Sequence, residues 1–487
     1  MRKLIVTLLA SASLAGCAAS GLTGEGPNRS ISPAAAQTAA QQHQAILTEF
    51  GGAVTGPTAD YVTNIGRRVA ARSGVQGAGT GVFNFTVLNS PVPNAFAVPG
   101  GYIYITRGLL TLMNNEAELA AVLGHEVAHV TADHSRSRQN RGLLTQLGGL
   151  VAGVVTGSGT AAQVAGQIGQ GLFLGYSRGQ EHEADDIGIR YAAQAGFNAS
   201  AAAGIFMQLD RATQLEAQVQ GRSDQRSLPS WARTHPVNEE RVRRAQALGN
   251  QLQPGGAGII GREELLRRVD GLLYGDDPAQ GVIEGREFLH PDLRLAFTAP
   301  QGYAIQNGTR AVSVSGQGGQ AQFSTGAYAG NLETYIAQVY QSLGGNQAQI
   351  AFSRPERTTI NGIPAAASTA RVQTQQGVVD VSVVAYEFGS NQAYHIVTLT
   401  PSGSGLGPFG SMVQSVRRLS AQQAAAIRPR VIDVVTAGPR DTVATLAGRM
   451  AFSDFQQERF RVLNGLAAGE AVRPGQQVKL VVYGQRR

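Results

Sequence analysis

The amino-acid sequence predicts a multidomain chain. A mainly α-helical first domain with a small β-hairpin is followed by an α+β domain and a small βααβ unit. Three observations predict this order. An H-E-x-x-H pattern at residues 125–129 lies in a stretch whose apolar residues recur at helical spacing. A Pro/Gly-rich run at 251–258 interrupts that helical texture. From Phe288 onward, short alternating runs with sparse charge and frequent Gln, Gly, Ser and Thr replace it. A length of 487 residues accommodates two to four such domains.

Composition narrows the class. Hydrophobic content of 43% against 15% charged residues describes a globular chain rather than a disordered one. The formal charge of +7 is almost entirely arginine, because lysine occurs only at Lys3 and Lys479. That excess is spread thinly, and no basic cluster is interleaved with aromatics, so no nucleic-acid site is read. Cys17 is the single cysteine, so no disulfide and no cysteine-based metal site is expected.

The N-terminus reads as an export signal. Arg2 and Lys3 precede an apolar run at 4–14 that is too short to span a bilayer. Leu14-Ala15-Gly16-Cys17 resembles a bacterial lipobox. The resemblance implies cleavage of 1–16 before Cys17, a lipid on its thiol, and membrane attachment by acyl chains. Ala18, in place of Asp, implies the outer membrane, facing the periplasm. An ordinary signal peptide with an incidental cysteine is the plainer alternative. Residues 17–34 are small and polar and read as a tether.

Two short helices are expected over 35–50 and 58–73, the second with Tyr61, Ile65 and Val69 on one face. Residues 83–88 alternate like a half-buried strand. Pro99-Gly100-Gly101 separates two extended runs, 95–98 and 102–106, as a hairpin turn does. An edge strand of this hairpin could receive an extended peptide, although an ordinary core hairpin has the same signature.

Asn114 or Asn115 is the expected N-cap of the next helix, with Glu116 and Glu118 near its positive end. His125 and His129 then lie one turn apart on one face, where both reach one tetrahedral Zn²⁺. Glu126 points about 100° away and reaches a water on that ion without being a ligand. His134 falls on the opposite side and is read as structural. Residues 135–141 are basic. Runs at 143–155 and 161–174 are Gly-rich and suggest a close-packed helical hairpin, with peripheral membrane contact as a further reading. Residues 176–190 place Glu181, Glu183, Asp185 and Asp186 on a helix, with Glu181 and Asp185 on a shared face. Such acidic helices are usually solvated surface. A two-histidine site, however, needs one more ligand, and His₂Glu plus water is a common catalytic set.

NAFAVPGGYIYITRGLL, HEVAH, SRGQEHEAD and THPVNEER follow one another within about 35–250. In this order and spacing they resemble metallopeptidase family 48, the HtpX/BepA-like gluzincins, which include the CAAX prenyl proteases. The resemblance implies a gluzincin domain with one Zn²⁺ per chain. Its E-x-x-A-D pattern makes Glu181 the third ligand beside His125 and His129, with His182 and Glu183 at variable positions. It makes Glu126 the general base. Asp185 would either orient a ligand histidine or donate a proton. His235, before Pro236, would either gate the open coordination position or stabilise the transition state; its plainer reading is a helix-entry residue.

Residues 251–284 read as a linker with a short amphipathic helix, and 285–420 as the α+β domain. The latter shows no metal, nucleotide or nucleophile constellation, so a binding or positioning role is expected. Residues 429–484, with Asp441-Thr442 and Leu463-Asn464-Gly465, resemble a LysM module, whose family ligand is peptidoglycan glycan. Arg440 stands where that pattern usually has Gly.

Together these features point to a zinc metalloendopeptidase of the bacterial envelope, acting on unfolded or misassembled envelope proteins. A non-catalytic outer-membrane assembly chaperone or scaffold is the rival class. A zinc peptidoglycan hydrolase is a third. A scaffold has no use for the general base Glu126.

Overall fold

The computed structural model describes residues 22–23, 29–134, 175–219, 234–344, 350–374 and 377–485. The signal segment 1–16, Cys17, most of the tether, the basic run 135–141 and the Gly-rich hairpin over 143–174 lie outside them.

Helices α1 (Pro33–Glu49) and α2 (Pro57–Ala70) both begin with proline. Its fixed φ suits the first turn, where no backbone N–H is needed. Strands β1 (Asn84–Leu88), β2 (Ala95–Val98) and β3 (Tyr102–Thr106) form one sheet in the order β1-β3-β2. The expected hairpin is present, with Ala97 opposite Ile103. Gly100 and Gly101 turn it at φ of 103° and 83°. A Cβ on Gly100 would stand 2.4 Å from the Ala35 carbonyl oxygen of α1, so glycine is required there twice over. β3 is central, which leaves β2 at one edge and β1 at the other, where Leu88 meets Ala53 in an isolated bridge.

A helix that the residue pattern did not reveal, α3 (Arg107–Leu112), follows directly. Next come α4 (Glu116–Thr131), α5 (Arg178–Gln194), α6 (Ala201–Val219), α7 (Glu239–Leu252) and α8 (Arg262–Val269). Every residue of α4 from Ala117 to Thr131 is buried. A helix buried on all sides belongs at the centre of a domain, and the others pack around this one.

The segment expected to be a linker is woven into the structure. Leu265, Leu266 and Val269 of α8 are fully buried. Strand β4 (Leu273–Tyr274) pairs with a strand of the C-terminal unit.

The middle domain is more β-rich than its sequence suggested. Strands β5 (Val282–Glu284), β6 (Glu287–His290), β7 (Leu295–Thr298), β8 (Ala304–Asn307), β9 (Val312–Gly316) and β10 (Gly319–Thr325) precede α9 (Leu332–Gly344). After it come β11 (Glu356–Ile360), β12 (Ile363–Thr374), β13 (Gly377–Gly389), β14 (Gln392–Pro401), α10 (Gly410–Ser415) and β15 (Arg417–Arg418). Seven strands form one antiparallel sheet in the order β8-β9-β10-β14-β13-β12-β11. Val383 and Ala385 of β13 face α9, while Val384 and Tyr386 face the four-stranded sheet β15-β7-β6-β5. α10 ends at Ser415, and Arg417 and Arg418 then pair with β7.

His395 of β14 is buried in this domain, its Nδ1 2.8 Å from the Tyr335 hydroxyl of α9. Burial pushes its pKa down from 6.5 to about 4. Between those values the unfolded chain binds a proton that the folded chain does not. Stability therefore falls as pH drops from about 6.5 towards 4, by on the order of 3 kcal/mol at most. Hydrogen exchange of residues 377–401, corrected for intrinsic rates, should show this loss, and His395→Gln should flatten it. Equal loss in the variant would assign the acid sensitivity to another group.

The C-terminal unit runs strand, helix, helix, strand, as expected: β16 (Arg430–Thr436), α11 (Val443–Ala447), α12 (Gln456–Asn464) and β17 (Gln477–Tyr483). It has no core of its own. Phe460, Leu463, Val478 and Leu480 join one buried cluster with Leu110, Leu119, Leu123 and Ile205 of the first domain. The buried Lys479 Nζ donates to the Thr111 and Met113 carbonyls at 2.7 and 2.6 Å. Arg262 bridges the Asn114 carbonyl at 3.2 Å and the Gln477 carbonyl at 2.9 Å. The C-terminal unit is thereby fastened to the loop that starts α4.

Candidate metal centre

The start of α4 is set by Asn115, whose side chain accepts from the Glu118 N–H at 2.9 Å. The helix then crosses α5 at very close range. A Cβ on Gly124 would lie 2.6 Å from the Gly188 carbonyl oxygen, and one on Gly188 would lie 2.5 Å from the His125 N–H nitrogen. Two facing glycines let the backbones touch, which brings the carboxylates of α5 up to the imidazoles of α4. α5 is started by a reciprocal cap between Ser177 and Gln180. Gln180 Nε2 also donates to the His134 carbonyl at 3.3 Å, which ties the helix start to the end of α4.

This packing gathers His125, His129, Glu181 and His235, whose donor atoms all lie within 4.8 Å of one another. His125 Nε2 is 2.9 Å from His129 Nε2 and 3.2 Å from His235 Nδ1. Glu181 Oε1 is 3.0 Å from His235 Nδ1 and 3.5 Å from His129 Nε2. Ligand atoms on a tetrahedral zinc are roughly 3.3 Å apart, given bonds of about 2.0–2.1 Å. The donor set therefore fits such an ion. The charges agree: Glu126, Glu181 and Asp185 surround the cluster against the single guanidinium of Arg241. That leaves an excess of two negative charges, which a divalent cation matches.

The surrounding groups hold the donors in place. Asp185 Oδ1 is 2.9 Å from His125 Nδ1, which turns the other ring nitrogen towards the cluster. Burial alone would lower the His125 pKa, but Asp185 and Glu181 hold it above the ordinary value. His129, buried and facing His125, is held well below it, so its imidazole is neutral. Burial would raise the pKa of both Glu181 and Asp185. The facing histidines, together with Arg241 at Asp185, keep both carboxylates ionised. Glu183 lies outside the cluster at 3.2 Å from His134, and Asp186 pairs with Arg244 at the surface.

Two contributors, Arg241 and Tyr176, escaped the sequence reading, and a third, His134, had no assigned target. Arg241 Nε and Nη2 donate to the two Asp185 oxygens, both at 2.8 Å. Its Nη1 lies 2.9 Å from Glu181 Oε2 and donates to the Pro236 carbonyl at 2.9 Å, which fixes the His235 turn against α5. The Asn238 cap before α7 is the sequence signal that places Arg241 there. His134 Nδ1 supports His129 Nδ1 at 2.9 Å, so its structural reading gains a definite target. Tyr176 stacks on the His129 ring with centroids 3.7 Å apart. An aromatic just before the Ser177 cap was its only signal.

Residues 57–248 match the family model described as Peptidase family M48. This segment is a peptidase family M48 domain. A mitochondrial metalloendopeptidase OMA1 of Schizosaccharomyces pombe is 31% identical over 212 residues, 42% of this chain and 58% of that protein. A putative beta-barrel assembly-enhancing protease of Vibrio cholerae is 33% identical over 207 residues, 40% of each chain. A beta-barrel assembly-enhancing protease of Yersinia pestis is 29% identical over 204 residues, 40% of this chain and 39% of its own. The chain thus spans between about two-fifths and three-fifths of these relatives. M48 metallopeptidases use zinc, and the grouped residues form a possible site for it.

His235 stands within the donor group itself. Its Nδ1 sits among the ligand atoms, while its Nε2 faces Glu126 Oε1 at 3.6 Å. Glu126 is 1% exposed, and its Oε2 has no hydrogen-bond partner among the described residues. A buried carboxylate oxygen left free beside a donor cluster is poised to accept a proton from a group that enters. Ala95, at the start of edge strand β2, lines the same space.

Proposed function

We propose that this chain is a zinc-dependent metalloendopeptidase of the bacterial envelope. The observation that carries the reading is the free Glu126 oxygen beside a four-donor cluster. His125, His129 and Glu181 would hold the ion. When bound, zinc supplies a Lewis acid that polarises a peptide carbonyl and acidifies water. Glu126 takes the proton of the attacking water and delivers it to the leaving nitrogen. Asp185 fixes the His125 ring rather than moving a proton, since both its oxygens are occupied by Arg241 and His125. His235 yields its place to the substrate carbonyl and then stabilises the charge that develops there. An extended substrate pairs with β2.

The lipobox-like segment supports a location on the outer membrane, held by lipid on Cys17 and facing the periplasm. Unfolded or misassembled envelope proteins are the substrates within reach, and residues 429–484 are read as a possible contact to peptidoglycan glycan. Among the described residues no helix is long and apolar enough to cross a membrane.

Digestion of an unfolded outer-membrane protein by the zinc-loaded chain tests the reading. Cleavage should stop on chelation and return with zinc. Glu181→Gln should lower zinc content several-fold, whereas His182→Gln should not. Equal metal content in both variants would mean that Glu181 is not a ligand.

A further inference from the structure

The chain between Cys17 and α1 is fastened to the first domain well before α1 begins. Leu22 and Thr23 pair with Ile31 and Ser30. The Arg29 guanidinium donates to the carbonyl of Thr131, the last residue of α4. A cation suits that end of a helix, where carbonyls lack partners within the helix. The Arg29 carbonyl accepts from the Gln76 N–H at 2.8 Å. A Cβ on Gly101 would lie 3.5 Å from Ile31 Cδ1, so Ile31 sits at the β2–β3 turn. Ser32 is buried where α1 begins. We infer that residues 22–32 form a strap that holds the metal centre close above the lipid surface, so that its substrates are polypeptide segments within about 45 Å of that surface. The inference rests on the lipobox and peptidase readings above.

Length carries the argument. A chain spans at most about 3.6 Å per residue, so a tether free from Cys17 to Ser32 would reach roughly 54 Å. Fastened at Leu22, it reaches only about 18 Å. From Leu22, one strand pairing, two residues and the Arg29 side chain lead to Thr131, at most about 25 Å further. Thr131 follows His129 by two residues, about 3 Å along the helix. The strap therefore ends beside the metal-binding face rather than at a remote corner of the domain. Acyl chains on Cys17 hold its other end at the lipid surface. A tethered site has a high local concentration of targets within its span and almost none beyond it. Cleavage is thereby confined to segments that emerge from the membrane or lie along it, and chains further into the periplasm are spared.

Hydrogen exchange reads the strap without turnover, on the lipidated full chain in vesicles of phosphatidylethanolamine and phosphatidylglycerol. The peptide covering 22–32 should exchange at least about tenfold more slowly than an unstructured chain, and Arg29→Ala should bring it closer to that rate. Exchange at the unstructured rate in the parent chain overturns the strap. The same vesicles then carry an unfolded reporter, set either directly at the lipid or on a rigid helical stalk of about 70 Å. The zinc-loaded chain should cut the reporter at the lipid at least about tenfold faster. A Gly/Ser spacer of about 24 residues between Ser20 and Gly21 should abolish that difference. Equal cleavage at both heights by the parent chain overturns the height assignment, as does a Cys17 that carries no lipid. No cleavage at either height, with zinc content verified and exchange slow, removes the peptidase reading and leaves the strap standing.

Discussion

Replacing Glu126 with Gln should leave zinc content close to that of the parent chain and cut peptide-bond cleavage by about 10²–10⁴-fold. Shape is preserved in this substitution, and Glu126 itself is 1% exposed, so little repacking is expected. The four grouped donors do not include Glu126, so metal retention is the natural outcome. What disappears is the capacity to take a proton at the rim of the cluster. His235, at 3.6 Å from Glu126, cannot replace that function if its other nitrogen stays within the donor set. Zinc analysis and digestion of an unfolded envelope protein, run on the same preparation, decide the matter. Full cleavage by Glu126→Gln would sink the mechanism, and loss of zinc would mean that Glu126 is needed to build the site.

The second large effect is expected far from the chemistry. Lys479→Met should destabilise the first domain by about 3–5 kcal/mol, the range for breaking a buried charged pair from one side. Methionine fills much of the same volume but donates nothing, so the Thr111 and Met113 carbonyls lose their partner. Glu118, at the start of α4, loses the nearby amine as well. Burial pulls the Lys479 pKa down, which shows how thoroughly this amine is removed from water. Asn464 fixes the same strand, accepting from the Lys479 N–H at 2.7 Å and donating to its carbonyl at 2.9 Å. Removal of 429–485 altogether should leave no soluble peptidase domain, because it strips one side of the shared core. Denaturant titration followed by zinc release measures the first effect. A truncated chain that keeps its midpoint and its zinc would show that the C-terminal unit is an appendage after all.

Legibility in the sequence followed the range of the signal. The α4 cap, the His125–His129 face and the 95–106 hairpin are local patterns, and all three were readable. Glu181 needed a second segment and was reached by resemblance. Arg241 was not reached, because its contacts depend on how α7 crosses α5, and the Asn238 cap alone does not state a target. Gly124 and Gly188 carry no local signal of their own. Only their contact in space shows that they set the distance between the ligands. In the middle domain, β12 was missed because its run of Ala, Ser and Thr lacks the large apolar residues by which alternation is recognised. The merging of the C-terminal unit with the first domain left no mark at all, since a buried apolar face looks the same whichever partner covers it.

Lys479 also changes how the molecule can be observed. Lysine occurs elsewhere only at Lys3, within the segment read as a signal. A processed chain would carry one side-chain amine, enclosed between two structural units. An acylating reagent could then reach that nitrogen only during moments when β17 lifts away from α3 and α4. The rate at which a single mass increment accumulates on the peptide containing Lys479 would report the frequency of that opening. With no engineered label, the chain holds its own clock for the separation of its two ends.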